Sequence, residues 1–185
     1  MMSQQPEPKP TWYEPLQEQD EIRILRLEPG DEGSPVICTL IHVTLSERPV
    51  YDALSYQWGS EDVLKYIDIQ GTAWRVRENL YWALSHLRYR GRVRMLWVDA
   101  LCINQADILE RGHQVYQMKR IYTLAKRVCV WLGLADGGTR EAVQFLTSLE
   151  IEQDALNSIF TGSLEIRKHL AFLSKNEYWD RLWII

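Results

Sequence analysis

Several motif classes are missing from this sequence. It contains no H-x-x-x-H or C-x-x-C spacing, and its four histidines lie far apart, so we expect no structural metal. It also contains no G-x-x-x-x-G-K-[ST] or G-x-G-x-x-G phosphate loop and no G-x-S-x-G nucleophile elbow. The sequence therefore gives no support to a zinc module, a P-loop or dinucleotide-binding enzyme, or an α/β-hydrolase.

Signals for membrane insertion and secretion are also scarce. No apolar run approaches the roughly 20 residues that span a bilayer, and the first ten residues lack the blocks of a signal peptide. The three cysteines, Cys38, Cys102 and Cys129, are odd in number and lie in apolar segments, which favours buried free thiols. The net charge of −4 gives no general attraction to nucleic acid. We therefore expect a cytoplasmic protein with no membrane span and no nucleic-acid partner.

Proline is confined to the first part of the chain. All seven prolines lie at or before Pro49, so residues 50–185 can form regular elements without interruption. Residues 1–12 are polar and proline-rich and predict a disordered tail, while residues 13–185 are long enough for one domain with a core. The sequence stops on the apolar Ile185 within a helical pattern, which predicts a domain truncated at its C-terminus.

The remaining pattern is that of an α/β domain. Strands are predicted at 21–27, 36–45, 53–56, 66–69, 72–76, 96–99 and 127–133, and helices at 78–88, 107–126 and after residue 139. The first two strands indicate a hairpin, and the next pair of short strands indicates a second hairpin that turns at Gly71. The strand–helix–strand order predicts parallel pairing of 53–56 with 96–99.

The stretch from Leu96 to Gln105 is the centre of this pattern. It begins as a buried strand and ends in polar residues just before a helix, which is the usual layout of a ligand or signalling edge. Asp107 fits the N-cap of that helix, with Glu110 in capping-box position. The inward face of the helix is predicted to carry Val115, Met118, Tyr122 and Ala125.

Each candidate side chain of this edge has two interpretations. The Ser55 hydroxyl fits either an ordinary buried strand end or a nucleophile. Asp99 fits a cap on the neighbouring loop or a ligand contact. Asn104 and Gln105 fit side chains that hold the loop, or side chains that touch a ligand or partner. Glu110 fits the capping box or a catalytic carboxylate.

Two arginines and one tryptophan complete the set of candidates. Arg111 and Arg181 fit solvated ion pairs or phosphate clamps. Trp58 stands in a predicted loop beside Gly59, and it is the aromatic side chain that we expect to stack on a ligand. Taken alone, these residues predict a cytosolic α/β domain with a polar edge at the carboxyl ends of its strands.

Together the segments resemble the heterokaryon incompatibility domain of filamentous fungi. The resemblance runs from about Tyr13 to the end of the chain. It rests on the segments Tyr51-x-Ala53-Leu54-Ser55-Tyr56-x-Trp58-Gly59, Val76-x-x-Asn79-Leu80-x-x-Ala83-Leu84-x-x-Leu87-Arg88, Leu96 to Gln105 with Asp107, Glu110 and Arg111, Gln114-Val115-x-x-Met118-x-x-Ile121-Tyr122-x-x-Ala125, and Val130-Trp131-Leu132-Gly133.

The resemblance implies a role and a fold. Such domains trigger programmed cell death in fungal nonself recognition after incompatible cells fuse, usually as the N-terminal effector of a longer chain. They are thought to be distant relatives of the Toll/interleukin-1 receptor domains of innate immunity. The implied fold is α/β, a flavodoxin-like three-layer sheet with parallel core strands, an added N-terminal β-hairpin and a helical C-terminal part. Strands 53–56, 96–99 and 128–132 would be the first three parallel strands.

The resemblance also implies a possible chemistry. Some members of the wider superfamily cleave NAD with a glutamate on a late helix, and the related W-x-R-x-W-x-x-Q-E segment here runs from Trp179 to Ile185. The expected catalytic glutamate therefore lies just beyond Ile185, so we expect this chain to be inactive or weakly active, with NAD as a candidate substrate and no firmly implied cofactor. Residues implied for the ribose and nicotinamide side are Ser55, Tyr56, Trp58 and Gly59, flanked by Asp99 and Arg181.

Two alternatives to an enzyme remain open. One is a non-enzymatic module that self-associates, or joins other cell-death signalling domains, through an assembly loop. The residues of that loop are Cys102, Asn104, Gln105, Glu110 and Arg111. The other alternative is a nucleotide sensor that binds NAD without turnover.

Overall fold

The structure is a computed structural model that describes residues 12–135, 137–148, 167–168, 171 and 173–180. The chain forms two compact units that meet in sequence between Val130 and Trp131. The predicted tail lies outside the described residues except for Trp12, which is 8% exposed and packs edge-on against Trp74 at 4.7 Å. The single domain predicted for 13–185 stays a prediction.

The first unit is built on a mixed seven-stranded sheet. Its strands are β1 (Glu21–Leu27), β2 (Ile37–Thr44), β3 (Asp52–Tyr56), β4 (Leu64–Ile69), β5 (Thr72–Arg77), β6 (Arg94–Trp97) and β7 (Arg127–Trp131), in the spatial order β5-β4-β2-β1-β6-β3-β7. The described helices are α1 (Glu78–Leu87), α2 (Asp99–Cys102), α3 (Ile108–Leu124) and, in the second unit, α4 (Gly137–Ser148). Short 3₁₀ helices span Leu45–Glu47 and Glu177–Asp180. A mixed sheet with helices confirms the predicted α/β class.

The N-terminal hairpin lies inside the sheet and is not added at its edge. β1 pairs antiparallel with β2, from Glu21↔Thr44 to Leu27↔Cys38, and also antiparallel with β6. Six of its seven residues are buried, which is typical of a central strand covered on both faces. The hairpin was predicted correctly, but its central place was not.

Parallel pairing in the core agrees with the sequence. β3 pairs with β6 in the register Asp52↔Leu96 and Ala53↔Trp97. The second hairpin, β4 and β5, lies in the crossover between them and turns at Gln70 and Gly71, whose φ angles are 53° and 80°. Positive φ at both central residues defines a type I′ turn, which suits the twist of the strands. The apolar stripe of α1 is buried through Leu80, Ala83 and Leu84.

The predicted strand at 96–99 ends earlier than expected. β6 stops at Trp97, and the short helix α2 replaces part of the loop that was predicted between the strand at 96–99 and the helix at 107–126. The backbone amides of Leu101 and Cys102 both donate to the carbonyl of Val98, which starts a helical turn. Asp99 therefore begins a helix and does not end a strand.

The inward face of α3 differs from the predicted one. Val115 is 53% exposed, whereas Gln114, Gln117 and Ile121 are buried. Gln114 Nε2 donates to the carbonyl of Glu21 at 3.1 Å, and Gln117 Nε2 donates to that of Gln19 at 2.8 Å. These glutamines face inward because they satisfy backbone carbonyls at and just before the start of β1. The apolar periodicity therefore misplaced Val115, whereas Tyr122 does face the sheet, where it packs on Trp97 and donates to the carbonyl of Leu54 at 3.0 Å.

The second unit is described only in part. The helix predicted after residue 139 is present as α4, but those predicted at 154–160 and 164–174 lie largely outside the described residues. The pattern Ser174-Lys175-Asn176-Glu177 predicts a helix that starts at Ser174, but Ser174 already lies in a helix and its hydroxyl donates to the carbonyl of Ala171 at 2.9 Å. Asn176 caps the last turn instead, because its Oδ1 accepts from the amide of Tyr178 at 2.9 Å and its Nδ2 donates to the carbonyl of Leu132 at 3.0 Å.

Candidate functional site

The carboxyl ends of β3 and β6 meet at one edge of the sheet. Trp58 follows β3, Asp99 follows β6, and Trp58 Nε1 donates to Asp99 Oδ2 at 3.1 Å. The parallel register of the two strands brings these residues together, although they stand 41 positions apart. We call the group formed by Gln57, Trp58, Gly59 and Asp99 the strand-end edge.

Asp99 is held from three sides. Its side chain accepts from Trp58 through Oδ2 and from the amide of Ala100 through Oδ1 at 2.8 Å. Its backbone carbonyl accepts from Gln105 Nε2 at 2.9 Å, and the residue is only 7% exposed. The carboxylate therefore fixes the start of α2 and also joins the ends of β3 and β6. It has the capping role predicted for it, and it also lies in the strand-end edge.

The loop after β3 is fastened to the start of α1. Asn79 Nδ2 donates to the carbonyl of Gln57 at 2.6 Å. Arg77 donates to the carbonyl of Gly59 at 2.9 Å, pairs with Glu61, and places its guanidinium 5.0 Å from the centre of the Trp58 ring. These contacts hold the Trp58 ring in a fixed orientation, with a cation over one face.

Gly59 has a backbone reason to be glycine. Its φ is 76°, a conformation that side chains disfavour, and a Cβ there would lie 3.3 Å from Cβ of Asn79. The chain can therefore turn sharply at this position after β3.

Ser55 and Tyr56 lie inside the fold, contrary to the expectation that they shape a ligand pocket. They are 2% and 1% exposed, and both side chains belong to the fully buried strand β3. A buried hydroxyl at a strand end was one of the two interpretations of Ser55, and the structure agrees with it. Arg181, the other residue expected to flank the pocket, lies outside the described residues.

Glu110 is not a capping-box residue. Asp107 does cap α3, since its carboxylate accepts from the amides of Leu109 and Glu110. The Glu110 carboxylate instead binds Arg23 through two hydrogen bonds of 2.6 and 3.0 Å and accepts from the amide of Asn104 at 2.7 Å. A buried guanidinium needs a charged partner, and this requirement outweighs the local capping geometry.

Arg23 joins several segments of this network, a role that was not predicted from the sequence. Its side chain is 0% exposed, and besides Glu110 it donates to the carbonyls of Cys102 at 3.3 Å and Glu14 at 2.6 Å. The Tyr13 ring lies 5.0 Å from the guanidinium, and its hydroxyl donates to the carbonyl of Leu101 at 2.9 Å. Burial raises the pKa of Tyr13, so the phenol stays a donor. The signal available in the sequence was the position of the charged Arg23 between apolar residues of a predicted strand.

The polar residues of the predicted assembly loop mainly hold its shape. Asn104 Oδ1 accepts from the amide of Ala106 at 3.2 Å, Gln105 reaches back to Asp99, and Arg111 lies 3.4 Å from the carbonyl of Gln105. Cys102 is 0% exposed, its Sγ accepts from the amide of Val98 at 3.3 Å, and burial raises its pKa to about 12. Cys102 therefore supports the segment from inside, and its place on an assembly surface is a correction.

An open cleft of about 430 Å³ lies beside this network. It runs between the segment that precedes β1 and the start of α3, and its lining includes Tyr13, Arg23, Asn104, Glu110 and His113. Within the described ranges, no group of three or more His, Cys, Asp or Glu residues could hold a metal ion. The described helices include none that is long and apolar enough to cross a membrane.

Comparison with known proteins identifies the family. The model of the family described as heterokaryon incompatibility protein (HET) matches residues 51–185, which include the whole strand-end edge. Heterokaryon incompatibility protein 6, OR allele, of Neurospora crassa is 34% identical over 152 residues, covering 75% of this chain and 22% of that relative. No solved structure matches the chain. The chain belongs to the heterokaryon incompatibility family, as its sequence motifs predicted.

The match to the curated relative is partial. The chain spans about a fifth of the length of the curated relative, since the match covers 22% of it. The family assignment is therefore confirmed for this domain, while the similarity to Toll/interleukin-1 receptor domains stays a prediction.

Proposed function

We propose that this chain is a cell-death signalling domain of fungal nonself recognition and that it signals through the strand-end edge. The observation that carries the proposal is the overlap of the family match at 51–185 with the Trp58–Asp99 contact, where two parallel strands end. The carboxyl ends of parallel strands are where open α/β sheets place their ligands.

The first test is expression in a filamentous fungus under an inducible promoter, with viability scored over time. We expect cells that make this chain to die, while cells with an empty vector survive. Normal growth at a demonstrated level of folded protein would contradict the proposal. This experiment tests cell-death activity without assuming any chemistry.

NAD is the proposed ligand of the strand-end edge. The half-buried Trp58 ring would offer a surface on which nicotinamide or adenine can stack. The Asp99 carboxylate is 7% exposed and accepts from Trp58 Nε1, so a ribose hydroxyl that binds it would replace that hydrogen bond. Cleavage would break the bond between ribose C1′ and the nicotinamide nitrogen, with water adding to the ribose and a proton released. A carboxylate beside the ribose would stabilise the oxocarbenium ion that develops as nicotinamide leaves.

One titration separates an enzyme from a sensor. NAD is added to the purified chain, and its thermal midpoint and the released nicotinamide are measured together. The measurement is also made on a version extended past Ile185, to include the glutamate that the family pattern predicts there. A raised midpoint with nicotinamide release from the extended version supports cleavage, and a raised midpoint without release from either version supports a nucleotide sensor. If NAD neither shifts the midpoint nor yields nicotinamide, both NAD hypotheses are wrong. The same titration on Asp99→Asn tests the role of the carboxylate, and Asp62→Asn, at an exposed position in a loop, is its control.

Self-association is the second candidate, and one observation favours it. The outer side of α3 exposes large apolar side chains beside the polar loop: Ile108 is 73% exposed, Leu109 86%, Val115 53% and Tyr116 89%. When exposed apolar side chains form one contiguous patch, that patch is more often an interaction surface than a face left in contact with solvent. The proposed occupant is a second copy of the chain, with Arg111 at the rim of the contact.

Sedimentation at increasing protein concentration tests self-association. We expect the wild-type chain to form oligomers that Leu109→Asp and Arg111→Ala abolish. Val50→Asp is the control, because Val50 is 70% exposed and is not part of α3. A chain that stays monomeric at all concentrations, or oligomers that survive Leu109→Asp, would rule out this surface.

A further inference from the structure

A second cleft, of about 200 Å³, lies at the opposite edge of the sheet from Trp58 and Asp99. Asp52 begins β3, Arg94 begins β6 and Arg127 begins β7, so the cleft opens where these three strands start. Its aromatic lining consists of Tyr51 and Tyr89, and its charged lining consists of Asp52, Arg92, Arg94, Lys126 and Arg127. The heterokaryon incompatibility assignment gives no role to this edge.

One buried carboxylate organises two of the arginines. Asp52 is 5% exposed and accepts from Arg94 Nε and Nη2 at 3.0 and 2.8 Å, and from Arg127 Nε and Nη2 at 3.2 and 3.0 Å. Burial alone would raise the pKa of Asp52, but the hydrogen bonds from Arg127 and Arg94 outweigh it and hold that pKa below its usual value. Asp52 is therefore ionised and fixes both guanidiniums at the cleft.

The cleft carries an excess of positive charge. Among the described residues that line it, Arg92, Arg94, Lys126 and Arg127 are cations and Asp52 is the single carboxylate. Neither Arg92 nor Lys126 forms an ion pair with a carboxylate in the described part of the chain. Since the whole protein has a net charge of −4, this concentration of cations is local and would attract an anion to one place.

The Tyr89 side chain contacts three arginines of the cleft. The Arg92 guanidinium lies 4.1 Å from the centre of its ring and that of Arg94 lies 5.0 Å away, while Arg127 Nη2 donates to its hydroxyl at 3.1 Å. The hydrogen bond from Arg127 lowers the pKa of Tyr89, which reflects the same positive field. Guanidiniums that are already positioned lose less freedom when they bind an anion.

We propose that Arg92, Lys126 and Arg127 bind the phosphate groups of a small phosphorylated ligand in this cleft. Planar guanidinium groups match the oxygens of a phosphate in pairs. The volume of about 200 Å³ is below the roughly 300–1,000 Å³ of pockets that enclose a whole drug-sized ligand, so the cleft accommodates the phosphates while the rest of the molecule lies outside. This site is separate from the strand-end edge and does not depend on its function.

Isothermal titration with inorganic diphosphate and with ADP tests the site. We expect both to bind the wild-type chain, and Arg92→Gln or Lys126→Gln to weaken either affinity about fivefold or more. Lys119→Gln removes the same charge from an exposed position on α3 and should leave the affinity within about twofold. Circular dichroism establishes that the variants are folded, and these exposed substitutions leave the buried Asp52–Arg94 pair intact.

The two probes identify what the cleft recognises. Equal affinity for diphosphate and ADP supports recognition of phosphate alone, and tighter binding of ADP supports an added contact with the Tyr89 ring. The proposal is overturned if the folded wild-type chain binds neither probe. It is also overturned if Arg92→Gln and Lys126→Gln bind as the wild type does, or if Lys119→Gln weakens binding as much as they do.

Discussion

The bidentate pair between Arg23 and Glu110 is the residue contact on which the candidate site most depends. It joins β1 to α3, and through Glu14 and Cys102 it also holds the segment before β1 and the end of α2. The Arg23 side chain is 0% exposed and that of Glu110 is 11% exposed. Breaking such a pair leaves an uncompensated buried charge, which costs more than the pair itself contributes.

Glu110→Gln should therefore destabilise the protein strongly. We expect the free energy of unfolding in urea to fall by about 3 kcal/mol, because the buried Arg23 guanidinium keeps its charge and loses its charged partner. Glu28→Gln is the matched control: it breaks the more exposed pair with Arg26 and should cost less than about 1 kcal/mol. Equal losses for the two variants would show that the Arg23 pair is not a structural hub.

The three thiols should differ in reactivity. Cys38 and Cys102 are 0% exposed, and burial raises the pKa of each to about 12, so neither forms a thiolate in the native state near neutral pH. Cys129 is partly exposed, although burial raises its pKa as well.

We expect a disulfide reagent at pH 8 to modify Cys129 first and the other two thiols only after unfolding. Cys129→Ser should remove the fast phase of the reaction, and in denaturant all three thiols of the wild type should react together. Modification of three thiols at one rate in the folded protein would contradict the burial of Cys38 and Cys102.

At the scale of elements, α3 connects the candidate site to the sheet. Its first turn is fixed by the Asp107 cap, and its inner face is fixed by Gln114 and Gln117. The cap determines where the helix begins and hence where Glu110 and Arg111 point. Its loss should act on both stability and the exposed surface of the helix.

Asp107→Ala should lower the free energy of unfolding by about 1 kcal/mol, because two amides of the first turn lose their acceptor. Asp107→Asn retains a side-chain oxygen at the cap and should cost only a few tenths of a kcal/mol. Urea unfolding measures both variants. If Asn is as harmful as Ala, the carboxylate has a role besides capping.

Local features of the elements were predictable from the sequence. The bounds of β1, the turn at Gly71 and the Asp107 cap depend on residues close together in the chain, where alternation, glycine and cap chemistry are direct signals. The Arg23–Glu110 pair joins residues 87 positions apart, and no local pattern reports such a contact. The same limit explains why the inward glutamines of α3 and the central place of β1 were not predicted.

The candidate site was predictable in outline only. Trp58, Gly59 and Asp99 were identified by their positions at predicted strand ends, and the structure brings Trp58 and Asp99 into contact. Ser55 and Tyr56 were predicted at the pocket because they are next to Trp58 and Gly59 in the sequence motif. Both faces of β3 are covered, so the side chains on both faces are buried. Their use in the family pattern is explained by packing.

At the scale of the whole molecule, pH should act through the buried carboxylates. Burial alone would raise the pKa of Glu21, but hydrogen bonds from the amides of Gln17 and Glu18 and from the His42 ring lower it from 4.5. A lowered pKa means that the ionised form stabilises the folded state above pH 4.5 and that this contribution is lost as the pH falls through the folded-state value.

We therefore expect the free energy of unfolding to decrease below pH 4.5 and Glu21→Gln to make that decrease shallower. The variant should also be less stable than the wild type at pH 7. Glu32→Gln, at an exposed position, should keep both the wild-type slope and the wild-type stability. Urea titrations from pH 2.5 to 7 provide the comparison, and an unchanged slope for Glu21→Gln would contradict the assignment.

We propose that the strand-end edge carries the cell-death signalling of this domain. Asp99→Asn removes the charge of the carboxylate and keeps one oxygen to accept from Trp58 Nε1, while the hydrogen bond from the amide of Ala100 is lost. Circular dichroism establishes that the variant is folded. The most direct measurement is the viability of fungal cells that express wild type, Asp99→Asn or the control Asp62→Asn at equal protein levels. We expect death with wild type and Asp62→Asn and survival with Asp99→Asn. Death at the wild-type rate with Asp99→Asn would contradict it.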